Sequence, residues 1–313
     1  MHFVYMLNYH LFGLNPWGFH LVNILFHCGV SILVFLVIRS LLPEHRNLVS
    51  PAYLSPPFIA AILFATHPIH TEAVTWIAGL PDVAFPFSYL LSFYLYVLFR
   101  DGVKGGYLLS ILLFSVATLF KEPAITLLIV LIAYDYLFRK WVKKVLLEIR
   151  VYIPYVAVSG VYFLMRHYVL RGFAPIASYT ELNTYQFIIN VFPLFREYLT
   201  CLLWPFDLSL WHTFHPIRSI FEMKGLLSIV VTVIFLIGSV TAYRKKKILF
   251  FGLLLLAIPL LPVFYIKGIA GTPFAERHLY LPSVDYVLLL AIFLSWANEK
   301  LPQAATGKSF LWL

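Results

Sequence analysis

THPIHTEAVTWIAGLPD, from Thr66 to Asp82, interrupts two apolar runs with two histidines, a glutamate and an aspartate. Proline is tolerated in the first turn of a helix, where its missing N–H would have had no intrahelical partner, so His67-Pro68 reads as a helix restarting. Glu72 then falls in an early turn of the new helix. Leu80-Pro81-Asp82 repeats the device and places Asp82 at the start of the next long apolar run, where the helix dipole favours a carboxylate. The plain reading is two capped helix ends. The richer reading is a concentration of ionisable chemistry at a membrane edge.

Composition, taken outward from that stretch, sets the class. With 61% hydrophobic residues, 12% charged residues and a mean hydropathy of +0.87, the chain is far from a soluble domain, in which roughly a quarter of residues are charged. It reads as an all-α polytopic integral membrane protein. The formal charge of +9 sits in short basic clusters at the ends of apolar runs, the pattern of membrane topology rather than of a nucleic-acid partner. Cys28 and Cys201 both lie in apolar stretches and build neither a disulfide framework nor a metal knuckle.

Asn15-Pro16 is a cap and first turn, and Trp17 to Arg39 is long enough to cross a hydrocarbon core of about 30 Å. Further apolar runs at 56–66, 81–99, 107–120, 124–138, 151–165, 226–243, 248–266 and 279–297 bring the expectation to about nine transmembrane helices. Tyr185 to Trp204 is apolar too, but Arg196 and Glu197 divide it, which predicts an interfacial or re-entrant helix. Residues 1–297 then form one membrane domain with a long outward loop at 166–223. Residues 298–313 read as a cytoplasmic tail or the start of a further segment. Met1 to Gly13 holds no lysine or arginine and does not read as a signal peptide.

Lysine and arginine counted on alternate loops give fifteen on one side (Arg39, Arg46, Arg100, Lys104, Arg139, Lys140, Lys143, Lys144, Arg150, Arg244 to Lys247, Lys300 and Lys308) and eight on the other, out of 23. The richer side is therefore the cytoplasmic one. Asn15, His67, His70, Glu72, Asp82, Lys121, Glu122, Arg166, Glu276, Arg277 and His278 all fall at the opposite, non-cytoplasmic ends of the runs.

HPIHTEAVTWIAG, followed by an aspartate, resembles the transmembrane and tetratricopeptide-repeat family of protein O-mannosyltransferases within the multi-span glycosyltransferases that use lipid-phosphate sugars. LFGLNPWGFHLVNILFH at Leu11 to His27, KEPAITL at Lys121 to Leu127 and ERHLYLPSVDY at Glu276 to Tyr286 carry the same resemblance in the family's order. The family usually has an arginine and a small residue where this chain has Leu80 and Pro81. The resemblance implies a GT-C-like fold, a polyprenyl-phosphate sugar as donor, and transfer of mannose or a similar sugar to a protein serine or threonine, or to a glycan. It places the chain in a prokaryotic plasma membrane or, in a eukaryote, in the endoplasmic reticulum. The acid most often given the role of base in that family lies in a first outward loop, and nothing acidic precedes Asn15 here. The expectation is that the chain starts late, that a separate chain supplies that part, or that the protein is a non-catalytic homologue.

Helix starts near Pro16, Pro68, Pro81 and Pro123 present free N–H groups that favour an anion, and Lys121, Arg166 and Arg277 add the cations expected to hold the donor phosphate. Transfer needs a general base for the acceptor hydroxyl, and His70, Glu72 and Asp82 are the candidates. His67, Glu122 and His278 are expected to support them. The alternative pairings are local: Lys121 with Glu122, and Arg277 with Glu276. A divalent metal is compatible with the HxxH spacing, but on one continuous helix Glu72 would lie about 140° from His67 and about 160° from His70, which disfavours a three-ligand site from this segment alone. A transporter or flippase-like binder of lipid-phosphate sugars is the other reading. The apolar interiors of the runs, nearly free of charge, favour the enzyme.

Overall fold

The computed structural model describes residues 2–42, 55–139, 149–171, 182–266 and 273–300, and all regular structure in them is helical. The α-helices run α1 (His2–Phe12), α2 (Pro16–Leu41), α3 (Pro56–Thr66), α4 (Thr71–Thr75), α5 (Leu80–Arg100), α6 (Gly106–Phe120), α7 (Leu127–Phe138), α8 (Ile153–Leu170), α9 (Thr184–Leu203), α10 (Met223–Lys245), α11 (Lys247–Ala257) and α12 (Ser283–Lys300). Arg46, Lys140, Lys143, Lys144, Lys267 and Lys308 of the charge count lie outside the described residues, as does the tail beyond Lys300.

Local chemistry sets the helix starts. The Asn15 side chain accepts from the Trp17 N–H at 3.1 Å and Pro16 opens α2. Asn183 and Gln186 form a reciprocal capping box at the start of α9, at 2.9 and 3.0 Å, satisfying backbone donors that the helix itself leaves open. Four helical stretches are long and apolar enough to cross a bilayer: Pro16–Leu41, Ile77–Arg100, Met223–Lys245 and Lys247–Phe264. Pro56–Thr66, Gly106–Phe120 and Ser283–Ala297 are apolar but shorter. The run at 248–266 is not one α-helix: α11 passes into a 3-10 turn, Ile258–Phe264, where Pro259 and Pro262 interrupt the regular ladder.

Burial separates the centre from the rim. Two thirds of the most apolar window of Ile77–Arg100 is buried (67%), against 17% for Met223–Lys245, so α5 is a central helix and α10 presents most of its surface outward. The seam between α5 and α6 is built from small residues. Ser92 Oγ donates to Ser110 O at 2.6 Å, Ser110 Oγ lies 2.7 Å from Tyr155 OH of α8, and a Cβ on Gly106 would stand 2.8 Å from Leu95 O. Small residues let helix backbones approach closely where lipid supplies no hydrophobic drive.

Polar clusters occupy the two ends of α5. At its C-terminal end Asp135 of α7, fully buried, accepts from Tyr96 OH at 2.5 Å, Tyr152 OH at 2.6 Å and Arg100 Nε at 2.9 Å. Arg139 pairs with Asp101, Lys247 Nζ donates to Leu137 O, and the Tyr136 and Tyr243 hydroxyls meet at 3.0 Å at the same end. The second cluster surrounds Asp82 at the N-terminal end. Asp82 and Arg100 are about 27 Å apart along the axis, at about 1.5 Å per residue.

Candidate functional site

The Thr66–Asp82 stretch folds as short pieces rather than one helix: a 3-10 turn Pro68–His70, then α4, then a 3-10 turn Ile77–Gly79, then α5. His67 caps the first turn, its Nδ1 accepting from the Ile69 N–H at 3.2 Å. Asn23 of α2, almost fully buried, reaches across and donates Nδ2 to Val74 O at 3.3 Å and Trp76 O at 2.9 Å. These breaks carry Glu72 and Asp82 to two separate basic partners. His67, His70 and Glu72 therefore do not lie on one continuous helix, and the angles of about 140° and 160° do not hold for them.

Glu72, 4% exposed, accepts from the backbone N–H of Arg277 at 2.8 Å and is ion-paired with its guanidinium. Asp82, in the first turn of α5, is ion-paired with Lys121 at the end of α6. Glu122 lies 3.5 Å from Arg166 of α8. The alternative local pairs do not form: Lys121 turns to Asp82 rather than Glu122, and Arg277 to Glu72 rather than Glu276. Glu276 instead accepts from the Ser209 N–H at 2.5 Å and lies 2.7 Å from His212 Nε2, tying the segment after α9 to the turn Glu276–Leu279. Neighbours in sequence diverge because these short turns send successive side chains to different faces.

Asp82, Lys121, Glu122, Arg166, Arg277 and His278 share one cavity of about 810 Å³. Its other flank is apolar, with Ile125, Leu128 and Ile129 from the turn after α6 and from α7, and Val156 and Phe163 from α8. Trp76 stands at the rim, 43% exposed, with the Arg277 guanidinium 5.4 Å from its ring centre, an arrangement that orients the cation through the ring quadrupole. Glu72 sits behind this wall, one ion pair away through Arg277. His67 and His70 do not line the cavity.

His70 is 3% exposed, and its Nε2 meets Ser283 Oγ at 2.8 Å while that hydroxyl donates to Tyr280 O at 2.8 Å. Since serine has one proton to give, His70 Nε2 must be the donor. Burial, with His27 and His67 nearby, holds the His70 pKa well below the usual histidine range. Burial also lowers that of His67. His278 lies at 2.9 Å from Tyr198 OH, and burial together with Lys121 and Arg277 keeps its pKa well below the usual value.

Tyr198, Asn23 and Tyr280 contribute to the site's geometry without having been singled out as site residues in the sequence. Their signals are weak because each acts across a large sequence separation, 80 residues for Tyr198 and His278. Among the described residues, no group of three His, Cys, Asp or Glu side chains is placed to hold a metal ion.

No family model and no solved structure matches the chain. Curated proteins do. The human Protein O-mannosyl-transferase TMTC4 is 30% identical over an alignment covering 91% of this chain and 45% of its own length. A Caenorhabditis elegans protein O-mannosyl-transferase, F38B6.6, is 28% identical over 93% of this chain and 41% of its own length. The Drosophila melanogaster Tmtc1 is 41% identical over a shorter stretch, 40% of this chain and 14% of its own length. The chain thus spans less than half the length of these curated relatives. Four apolar spans and these relatives together make it an integral membrane protein. Over nine-tenths of its own length the chain is a homologue of the TMTC protein O-mannosyl-transferases.

Proposed function

We propose that the chain is the membrane body of a glycosyltransferase that moves a sugar, mannose in the first instance, from a polyprenyl-phosphate donor to a serine or threonine hydroxyl of an acceptor protein. The observation that carries this reading is the two-sided cavity: an apolar flank from α7 and α8 beside a charged end holding Asp82, Lys121, Glu122, Arg166 and Arg277. A lipid tail suits the first and a phosphate with its sugar suits the second. The proposed arrangement is GT-C-like, with about nine crossings, α9 at the interface, and the cavity end on the non-cytoplasmic face of the endoplasmic reticulum membrane.

In the proposed reaction a carboxylate takes the proton of the acceptor hydroxyl as its oxygen attacks the anomeric carbon. The bond from that carbon to the phosphate oxygen breaks in the same step, inverting the centre, and its electron pair leaves on the phosphate. Asp82 is the acid of the original trio that lines the cavity, so it is the proposed base in this chain, with Lys121, Arg166 and Arg277 stabilising the departing phosphate. Glu72 holds Arg277 in place, and His67 and His70 support the wall from behind.

Transfer from radiolabelled polyprenyl-phosphate mannose to a serine- and threonine-containing peptide, by the purified full chain in lipid, tests this. Asp82→Asn is expected to lower the rate by about 10²–10⁴-fold, the usual range for losing a general base. An active preparation that is indifferent to Asp82→Asn would remove Asp82 from the site. A second reading, a binder of the same lipid without chemistry, draws on the finding that all three carboxylates already hold cations. Saturable donor binding with no transfer by the wild type would establish it.

A further inference from the structure

We infer that His278 is a specificity contact for a sugar hydroxyl, with Tyr198 fixing its imidazole so that Nε2 offers a lone pair to the cavity. This rests on the proposed reading of the cavity as the donor site.

The few protons available decide the tautomer. Tyr198 is fully buried on α9 and has one hydroxyl proton. Pro273 O can only accept, and it lies 2.8 Å from Tyr198 OH, so the proton goes there. The phenol oxygen is then an acceptor towards His278 Nδ1 at 2.9 Å, and Nδ1 must carry the ring proton. A neutral imidazole has one N–H, which leaves Nε2 bare.

The surroundings keep the ring neutral. Burial comes first, then Lys121 from the turn after α6 and Arg277 from the adjoining position. Lys121 is paired with Asp82 of α5 and Arg277 with Glu72 of α4, Tyr198 meets the ring itself, and Glu276 of the same turn is held by Ser209 and His212. Among the described residues no hydrogen bond to Nε2 is formed, and His278 lines both the cavity and a separate recess of about 10 Å³ that Lys121 and Arg277 also line.

The same count of protons separates His278 from the other histidines nearby. His27 Nε2 lies 3.2 Å from Ala65 O and must donate, so its bare Nδ1 is taken by Tyr280 OH at 2.7 Å. The bare Nδ1 of His67 is taken by the Ile69 N–H. The bare Nδ1 of His70 is sealed inside the protein. Of these four histidines only His278 lines the cavity, and its ring keeps one bare nitrogen. A bare nitrogen repels a phosphate oxygen, lone pair against lone pair, and it suits an O–H donor. With the phosphate against Lys121 and Arg277, the hydroxyls of the attached sugar are the donors within reach.

The test pairs variants with substrate analogues, using the full chain in lipid. The donors are polyprenyl-phosphate mannose and its 2-, 3-, 4- and 6-deoxy forms. Wild type is expected to lose about 10- to 100-fold in kcat/KM with one deoxy donor, the usual scale for an unmade hydrogen bond in a buried site. His278→Leu should lose a similar factor with the parent donor and nothing further with that deoxy donor, while keeping its discrimination among the others. A uniform loss across all donors, or no loss, overturns the inference.

A readout without turnover is ¹⁵N NMR of the histidine-labelled chain. The proton should sit on Nδ1 of His278 in wild type and move towards Nε2 in Tyr198→Phe, and a wild-type proton on Nε2 overturns the inference. Should wild type transfer sugar from no donor, the glycosyltransferase reading fails separately. The Nε2 signal then decides on binding: a shift with the parent donor that one deoxy form fails to produce supports the contact, and no shift with any donor overturns it.

Discussion

His70 and His278 carry a cost that shows up as pH dependence. In an unfolded chain a histidine takes a proton near pH 6.5, whereas burial keeps both of these neutral well below that value in the folded protein. Below about pH 6.5 the unfolded state binds more protons, so stability falls with pH; above about pH 7 neither state gains a proton from these groups and the dependence vanishes. Each contributes at most about 1.4 kcal/mol per pH unit. Thermal unfolding of the solubilised chain should show a falling midpoint from about pH 7 to pH 5, and His70→Asn should remove part of that slope. An unchanged slope would mean that His70 is protonated as readily inside the protein as outside. The sequence showed these residues as unusual but not their roles, because a tautomer depends on which carbonyl or hydroxyl arrives from elsewhere in the chain, and Tyr198 arrives from 80 residues away.

Helix starts were the most legible feature. Pro16, Pro68, Pro81 and Pro123 each lie at the beginning of a helix or 3-10 turn, because a fixed φ and a missing N–H act locally and need no partner. Lengths were less legible. Hydropathy reads 248–266 as one run, while the backbone changes from α to 3-10 after Ala257, a distinction that side-chain polarity does not encode. Close backbone approach was invisible as well. A Cβ at Gly79 would lie 2.5 Å from the Ala73 carbonyl oxygen, and backbone on both sides leaves nothing flexible to yield. Gly79→Ala is expected to cost about 1–3 kcal/mol, as overpacking does, and to disturb the entry to α5 that places Asp82. Gly160, inside α8, has nothing within 4 Å of its virtual Cβ. Gly160→Ala should be neutral or stabilising by about 0.5–1 kcal/mol through helix propensity. Unfolding midpoints of the two variants side by side check the contrast, and equal effects would argue against the tight turn at Gly79.

Across the whole molecule, the count of lysine and arginine was readable, and Arg100, Arg139 and Lys247 meet Asp135, Asp101 and Leu137 at the end of α5 away from Asp82. The ion pairs were not readable, since Glu72 and Arg277 meet across 205 positions and Asp82 and Lys121 across 39. If the bundle crosses the membrane as proposed, single cysteines introduced at Glu122 and Lys245 should react with an impermeant maleimide from opposite sides of sealed, oriented vesicles, Lys245→Cys from the cytoplasmic side. Reaction of both from one side would overturn the proposed topology. The pairing of every cavity cation with a carboxylate has a consequence for selectivity. Such a site works as an exchanger rather than a sink: an arriving anion must displace a resident one, so the electrostatic gain nearly cancels. Free phosphate or a water-soluble sugar phosphate would then find little reason to stay. A lipid-borne one would bring its own drive, about 0.8 kcal/mol for each methylene moved from water to the apolar flank, and charge balance inside the cavity would serve to turn away soluble competitors.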